Sequence, residues 1–199
     1  MSYRVVRRAM LLGSALLLGS VLLTRGSAPA QNNPAVDGKL PLIGSAGGNS
    51  FTRMCPSGHV LTGLRYRRGA VIDGLGIKCT PVYSSGNLGA EVSVGTMVGG
   101  NGGTPGSDGC KQQGVNISVI ASQHGGSAGF GIADLGFLCK EWFPASRSWG
   151  VANRWAFKVR SGTVFTSNAD CPLGEWPAIG IYGRHGSIVD AVGLVCGPV

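Results

Sequence analysis

The stretch CPSGHVLTGLRYRRGAVIDGLGIKC, residues 55–79, has two later counterparts in the chain, and that repetition decides the fold. Residues 110–139 run CKQQGVNISVIASQHGGSAGFGIADLGFLC, and residues 171–196 run CPLGEWPAIGIYGRHGSIVDAVGLVC. Each stretch has a cysteine at either end. The opening cysteines, Cys55, Cys110 and Cys171, are spaced 55 and 61 positions apart, and the closing ones, Cys79, Cys139 and Cys196, are spaced 60 and 57 apart. A fixed period of this kind marks an internally repeated architecture, here of three units at about 44–98, 99–159 and 160–199.

Counted back from each closing cysteine, the same residue types recur. Gly69, Gly129 and Gly186 coincide, as do Ile72, Ile132 and Val189; Leu75, Leu135 and Val192; Gly76, Gly136 and Gly193; and Ile77, Phe137 and Leu194. The approach to each closing cysteine alternates with a period of two, as in Leu75–Ile77–Cys79, which is the pattern of a strand with one buried face. Val60, Thr62, Leu64 and Tyr66 predict an earlier strand in the first unit, and Val115, Ile117, Val119 and Ala121 predict one in the second, each set off by a glycine-containing turn. No segment after residue 30 carries a sustained helical stripe. A Gly-rich opening also repeats: GSAGGNSFTRMC (44–55) over GGNGGTPGSDGC (99–110) places Gly47 on Gly102 and Gly48 on Gly103. The third unit has no such glycine pair.

Composition agrees. Glycine supplies 35 of the 199 residues, which disfavours helices because each interior Gly costs about 1 kcal/mol relative to Ala. Apolar residues make up 43 %, enough for a packed core. Three small strand-rich units, none able to bury a core alone, are expected to pack their inner faces about a shared pseudo-threefold axis. The third unit would be completed by a strand from the N-terminal side. The expectation is a single all-β domain over residues 44–199, with residues 31–43 as a loose lead-in segment.

The first thirty residues have the form of a secretory signal. Arg4, Arg7 and Arg8 precede an apolar stretch from Met10 to Leu23, and Ala28-Pro29-Ala30 offers a small-x-small cleavage site. The apolar stretch falls short of the roughly 20 residues a membrane-spanning helix needs, so no span is expected in the mature chain, which is read as secreted or periplasmic after cleavage near Ala30. Four of the 17 basic residues (Arg4, Arg7, Arg8, Arg25) leave with the segment and no acidic ones do, so 13 basic side chains face 9 acidic ones, a net +4. Arg65, Arg67 and Arg68 form the one tight basic group, read as a solvated strand end, and nucleic acid is not expected as a partner.

Six cysteines in an exported chain predict disulfides, and sequence alone leaves 15 pairings open. Equivalent folding of the three units selects Cys55 with Cys79, Cys110 with Cys139, and Cys171 with Cys196. No two cysteines have a zinc-ligand spacing, and no cofactor is expected. Catalysis finds no support either. His59, His124 and His185 sit in no recognisable motif, with His185 read as an exposed turn residue, and Glu91, Glu141 and Glu175 do not recur between units. The aromatic residues of segment 140–162, including Trp142, Trp149 and Trp155, are read as packing at one end of the domain.

The Gly-rich opening, the three sheet-forming units and the motif G-x-x-x-D-x-[LV]-G, present as Gly69 to Asp73 and Gly186 to Asp190, together resemble the β-prism lectins related to jacalin. The cysteine pair in each unit and the C-P-x-G opening are similar to the vitelline membrane outer layer proteins, which share that prism. The resemblance spans about residues 44–199. It implies a disulfide-stabilised β-prism of three Greek-key-like antiparallel sheets and a glycan as partner. It further implies that Asp190 with Gly186 works beside Gly47 and Gly48, and Asp73 with Gly69 beside Gly102 and Gly103. The carboxylate would accept from adjacent sugar hydroxyls, and glycine would let backbone amides approach the ring. The third position should be empty, because Ala133 replaces the aspartate, Asp134 is displaced by one residue, and the third unit lacks the glycine pair. Two readings stand: a secreted, non-catalytic carbohydrate-binding protein, or a structural protein of an extracellular coat in which each aspartate organises its own turn.

Overall fold

Extended backbone makes β-strands of every repeat, and the run up to each closing cysteine is buried almost continuously rather than on one face alone. The computed structural model describes residues 38–110, 114–123, 131–150, 155–158, 167–171 and 176–199, with the backbone alone for 114–123, 148–149, 155–158 and 167–169. The signal-like segment and residues 31–37 lie outside these. The described residues form thirteen strands: β1 (Ile43–Gly44), β2 (Asn49–Met54), β3 (His59–Arg68), β4 (Ile72–Pro81), β5 (Val92–Gly99), β6 (Thr104–Gly109), β7 (Gly114–Gln123), β8 (Ile132–Phe143), β9 (Ser148–Trp149), β10 (Trp155–Lys158), β11 (Ser167–Asp170), β12 (Ala178–His185) and β13 (Val189–Cys196). No helix occurs among the described residues.

Three antiparallel sheets result. Sheet I has the order β5-β4-β3-β6, sheet II the order β10-β8-β7-β11 with β9 added beside β8, and sheet III the order β1-β13-β12-β2. In each, an inner hairpin is flanked by two outer strands in Greek-key order. In sheet III that order holds if the chain is read through from β13 to β1, because its inner hairpin comes from the third sequence repeat and its outer strands from the first. All three sheets contribute to one core. The threefold set read from the sequence is buried there: Ile72, Ile132 and Val189; Leu75, Leu135 and Val192; Ile77, Phe137 and Leu194; and the three closing cysteines.

Three disulfides join Cys55 to Cys79, Cys110 to Cys139 and Cys171 to Cys196. Each opening cysteine directly follows an outer strand of one sheet, and each closing cysteine lies in an inner strand of the next. The bridges therefore staple sheet III to I, I to II, and II to III.

Two details differ from the sequence reading. The alternation Val60–Thr62–Leu64–Tyr66 is broken by a β-bulge between Leu61 and Gly63. Leu61 and Leu64 consequently both face the shared core, while Val60 packs outward against Val82 and Leu88. Thr62, on the bulge, bonds to Thr80 and Glu91, and Glu91 pairs with Lys78. The lead-in segment is also not loose from Lys39 onward. Lys39 bridges to Val195, the Leu40 amide donates to the Leu194 carbonyl, and Leu40 and Ile43 are buried in the core. Burying these apolar side chains stabilises the sheet edge by about 1.5–3 kcal/mol each.

Loops of 24, 29 and 25 residues closed by the bridges each remove denatured-state entropy worth about 3 kcal/mol. Paired replacement of Cys110 and Cys139 by Ala is expected to lower unfolding stability by about 2–4 kcal/mol in a denaturant titration, with the strand signature in far-UV circular dichroism retained.

Candidate functional site

The turn between the inner strands and the connection between the outer strands meet at one end of sheets I and III. In sheet III the β12–β13 turn carries Gly186, Asp190 is the second residue of β13, and the β1–β2 connection carries Gly47 and Gly48. In sheet I the β3–β4 turn carries Gly69, Asp73 is the second residue of β4, and the β5–β6 connection carries Gly102 and Gly103. The structure brings together both sets expected from the sequence. A Cβ placed on Gly47 would lie 3.1 Å from Asp190 Oδ1, and one on Gly102 would lie 2.8 Å from Asp73 Oδ1. Gly48 (φ 66°) and Gly103 (φ 65°) are left-handed, and a side chain on either would collide with the carboxylate and with the backbone at the end of the facing strand. Only glycine fits there.

The two cradles match in their hydrogen bonds. The Ser45 amide donates to the Asp190 carbonyl at 2.9 Å, and the Gly100 amide to the Asp73 carbonyl at 2.7 Å. The turns close on themselves through backbone bonds, Gly186 to Ile188 and Gly69 to Val71. Neither carboxylate is engaged by its own turn. Asp73 Oδ2 is buried without any hydrogen-bond partner, and Asp190 is recessed, 6 % exposed, behind the exposed glycines. An unpartnered buried carboxylate oxygen is costly.

Sequence reasoning missed two arginines. Arg184 donates from Nε to the Gly47 carbonyl at 2.8 Å and from Nη2 to the Gly48 carbonyl at 2.6 Å. Arg67 does the same to Gly102 at 2.8 Å and Gly103 at 3.1 Å. The signal was present, since R-x-G-x-x-x-D occurs at both 67–73 and 184–190. Arg65 bonds to the Val94 and Gly95 carbonyls. Arg65 and Arg67 are therefore loop fasteners, not members of a free solvated basic group.

His185 differs from the exposed turn residue expected. It ends β12 half-buried, tilts against Phe51 with ring centroids 5.7 Å apart, and accepts through Nδ1 from the Gly99 amide at 3.2 Å. That bond links the two cradles, as does the close approach of Gly100 to the Ser187 carbonyl. At the third position, Ala133 stands where the aspartate would be. The neighbouring Asp134, 2 % exposed, accepts from the Leu135 amide within β8. Gly129 and the β10–β11 connection lie outside the described residues.

The opposite end of the strands holds a cavity of about 250 Å³ bordered by Trp142, Arg147, Trp176 and Pro177. Trp142 is buried there and donates from Nε1 to the Gly86 carbonyl, in keeping with an end-packing role. Phe143 is exposed instead, and the side chains of Trp149 and Trp155 lie outside the description. Among the described residues no cluster of His, Cys, Asp or Glu could hold a metal, and no helix is long and apolar enough to cross a membrane.

No protein-family model matches the sequence, and no curated protein matches it. Solved structures do resemble it. A Malaysian banana lectin superposes with a TM-score of 0.50 at 20 % identity, over 81 % of this chain and 98 % of the lectin. Artocarpin in complex with mannopentose superposes with a TM-score of 0.50 at 15 % identity, over 80 % and 97 %. A mannose-binding jacalin-related lectin from Ananas comosus gives 0.49 at 23 % identity, over 81 % and 97 %. The chain has the jacalin-like β-prism fold.

Because a steric clash at Gly48 and Gly103 adds to the cost of a left-handed side chain, Gly48→Ala and Gly103→Ala are each expected to destabilise by more than about 2 kcal/mol. Gly95→Ala, at φ 62° with open space around it, should cost only about 1–2 kcal/mol. Thermal denaturation of the three variants side by side checks the ordering.

Proposed function

We propose that this chain is a secreted, non-catalytic carbohydrate-binding protein with two sites, one at Asp190 with Gly186, Gly47 and Gly48, and one at Asp73 with Gly69, Gly102 and Gly103. The observation that carries this reading is the pair of matching cradles in which a carboxylate is set against exposed glycines while making no bond to its own turn. A carboxylate held this way is an acceptor for two neighbouring hydroxyls of a pyranose, and charge-assisted bonds of that kind contribute about 1.5–3 kcal/mol each. Artocarpin, which has the same fold, forms a complex with mannopentose, and this makes mannose-type sugars a natural first panel. Residues 1–30 would act as the export signal, in keeping with three disulfides.

A second reading, a structural coat protein without a sugar site, is favoured by one observation: Asp190 is only 6 % exposed. On that reading the cradles would brace the prism end and nothing more.

The two diverge under mutation. On an array of neutral and acidic oligosaccharides, Asp190→Asn and Asp73→Asn should each weaken retention roughly tenfold to a hundredfold at the altered site, and the melting temperature of Asp73→Asn should hold or rise because its buried unpartnered oxygen loses its charge. Undiminished retention by the double variant would rule out the lectin reading.

A further inference from the structure

Each glycine pair presents two successive carbonyls to the same side, where their dipoles repel. In both cradles one guanidinium gathers them: Arg184 over Gly47 and Gly48, and Arg67 over Gly102 and Gly103, with all four donor distances between 2.6 and 3.1 Å. The planar fork of arginine suits two neighbouring oxygens, whereas a lysine ammonium acts as a single point charge. The two arginines occupy the same repeat position, twelve residues before the closing cysteine, where the second unit has Ser127. The second unit also has Ala133 in place of the aspartate. Arginine and aspartate are thus present together twice and missing together once.

The geometry has a consequence for the amides. In a trans peptide the N–H points opposite to the preceding C=O. With the Gly47 carbonyl fixed on Arg184, the Gly48 N–H must turn away from the guanidinium, and the Gly103 N–H is turned likewise by Arg67. No hydrogen bond to either amide is found among the described residues. Both glycines are exposed and flank the recessed carboxylate.

We propose that Arg184 and Arg67 are the positioning residues of the two cradles: each fixes the carbonyls of its glycine pair so that the Gly48 or Gly103 N–H stands ready as the donor to a glycan hydroxyl whose neighbour donates to the aspartate. The proposal rests on the carbohydrate-binding reading, which already gives the glycine loop an amide donor, and adds to it the side chains that preorganise that donor. Preorganisation raises affinity because the loop need not be ordered on binding.

The test uses the oxidised full-length protein, mannopentaose as probe, titration calorimetry, and amide NMR. Arg184→Met should reduce the stoichiometry from two sites to one, or weaken one site at least tenfold. Its Gly48 amide should shift and exchange faster while that of Gly103 stays unchanged. Arg67→Met should give the mirror result. Arg184→Lys, which keeps the charge and the fold-supporting stem, should fall between parent and Arg184→Met. A purely structural role would lower the melting temperature while leaving two sites of unchanged affinity. Unchanged affinity and an unchanged Gly48 amide in Arg184→Met overturn the assignment of the arginines alone. A parent protein that binds neither mannopentaose nor any arrayed glycan overturns the carbohydrate reading, and the donor role with it.

Discussion

The rest of the structure depends on a half-step offset between the sequence repeat and the sheet. Each repeat supplies an inner hairpin to one sheet and outer strands to a neighbour, so a disulfide that is local in sequence becomes a link between sheets in space. Cys55–Cys79, Cys110–Cys139 and Cys171–Cys196 each cross such a boundary, and together they run around the whole three-sided body. The apolar triplets fill the middle at three matching depths. Short strands with many glycines bury modest area per residue, and closing the ring covers the inner face of every sheet at once.

The same offset builds the cradles. A turn from one repeat and a glycine loop from the next fall side by side because they occupy the same end of the same sheet. The aspartate needs the left-handed glycine to make room for it, the glycine pair needs the arginine to hold its converging carbonyls, and the arginine needs the strand before the turn to aim it. The second unit, with Ser127 and Ala133 at these positions, lacks the arginine and the aspartate together.

Much of this was legible in the chain. The cysteine spacing and the residues that recur at fixed distances from Cys79, Cys139 and Cys196 specify strands, core and disulfides, since those features depend on periodicity. The pairing of Asp190 with Gly47 and of Asp73 with Gly102 was also legible, through family resemblance rather than spacing. The bulge at Leu61–Gly63 was not, because an inserted residue leaves composition untouched while moving the buried face by one. The burial of Leu40 was hidden because its partner, Leu194, lies at the far end of the sequence. Arg67 was misread because three nearby arginines look like a solvated cluster, and only the carbonyls of loops some thirty residues away show what they hold. His185 was misread for a similar reason: its partner, the Gly99 amide, belongs to another sheet.

Sheet III joins residues that are remote along the chain, with Ile43 opposite Val192 and Lys39 bridging to Val195. Contacts of such high sequence separation must wait for nearly the whole polypeptide to be available, and they slow folding because a long loop is closed before any reward is collected. During synthesis the early segments β1 and β2 would emerge with unsatisfied edges and no inner hairpin to lie against, long before β12 and β13 appear. Sheet III therefore closes only between strands made at the two ends of synthesis.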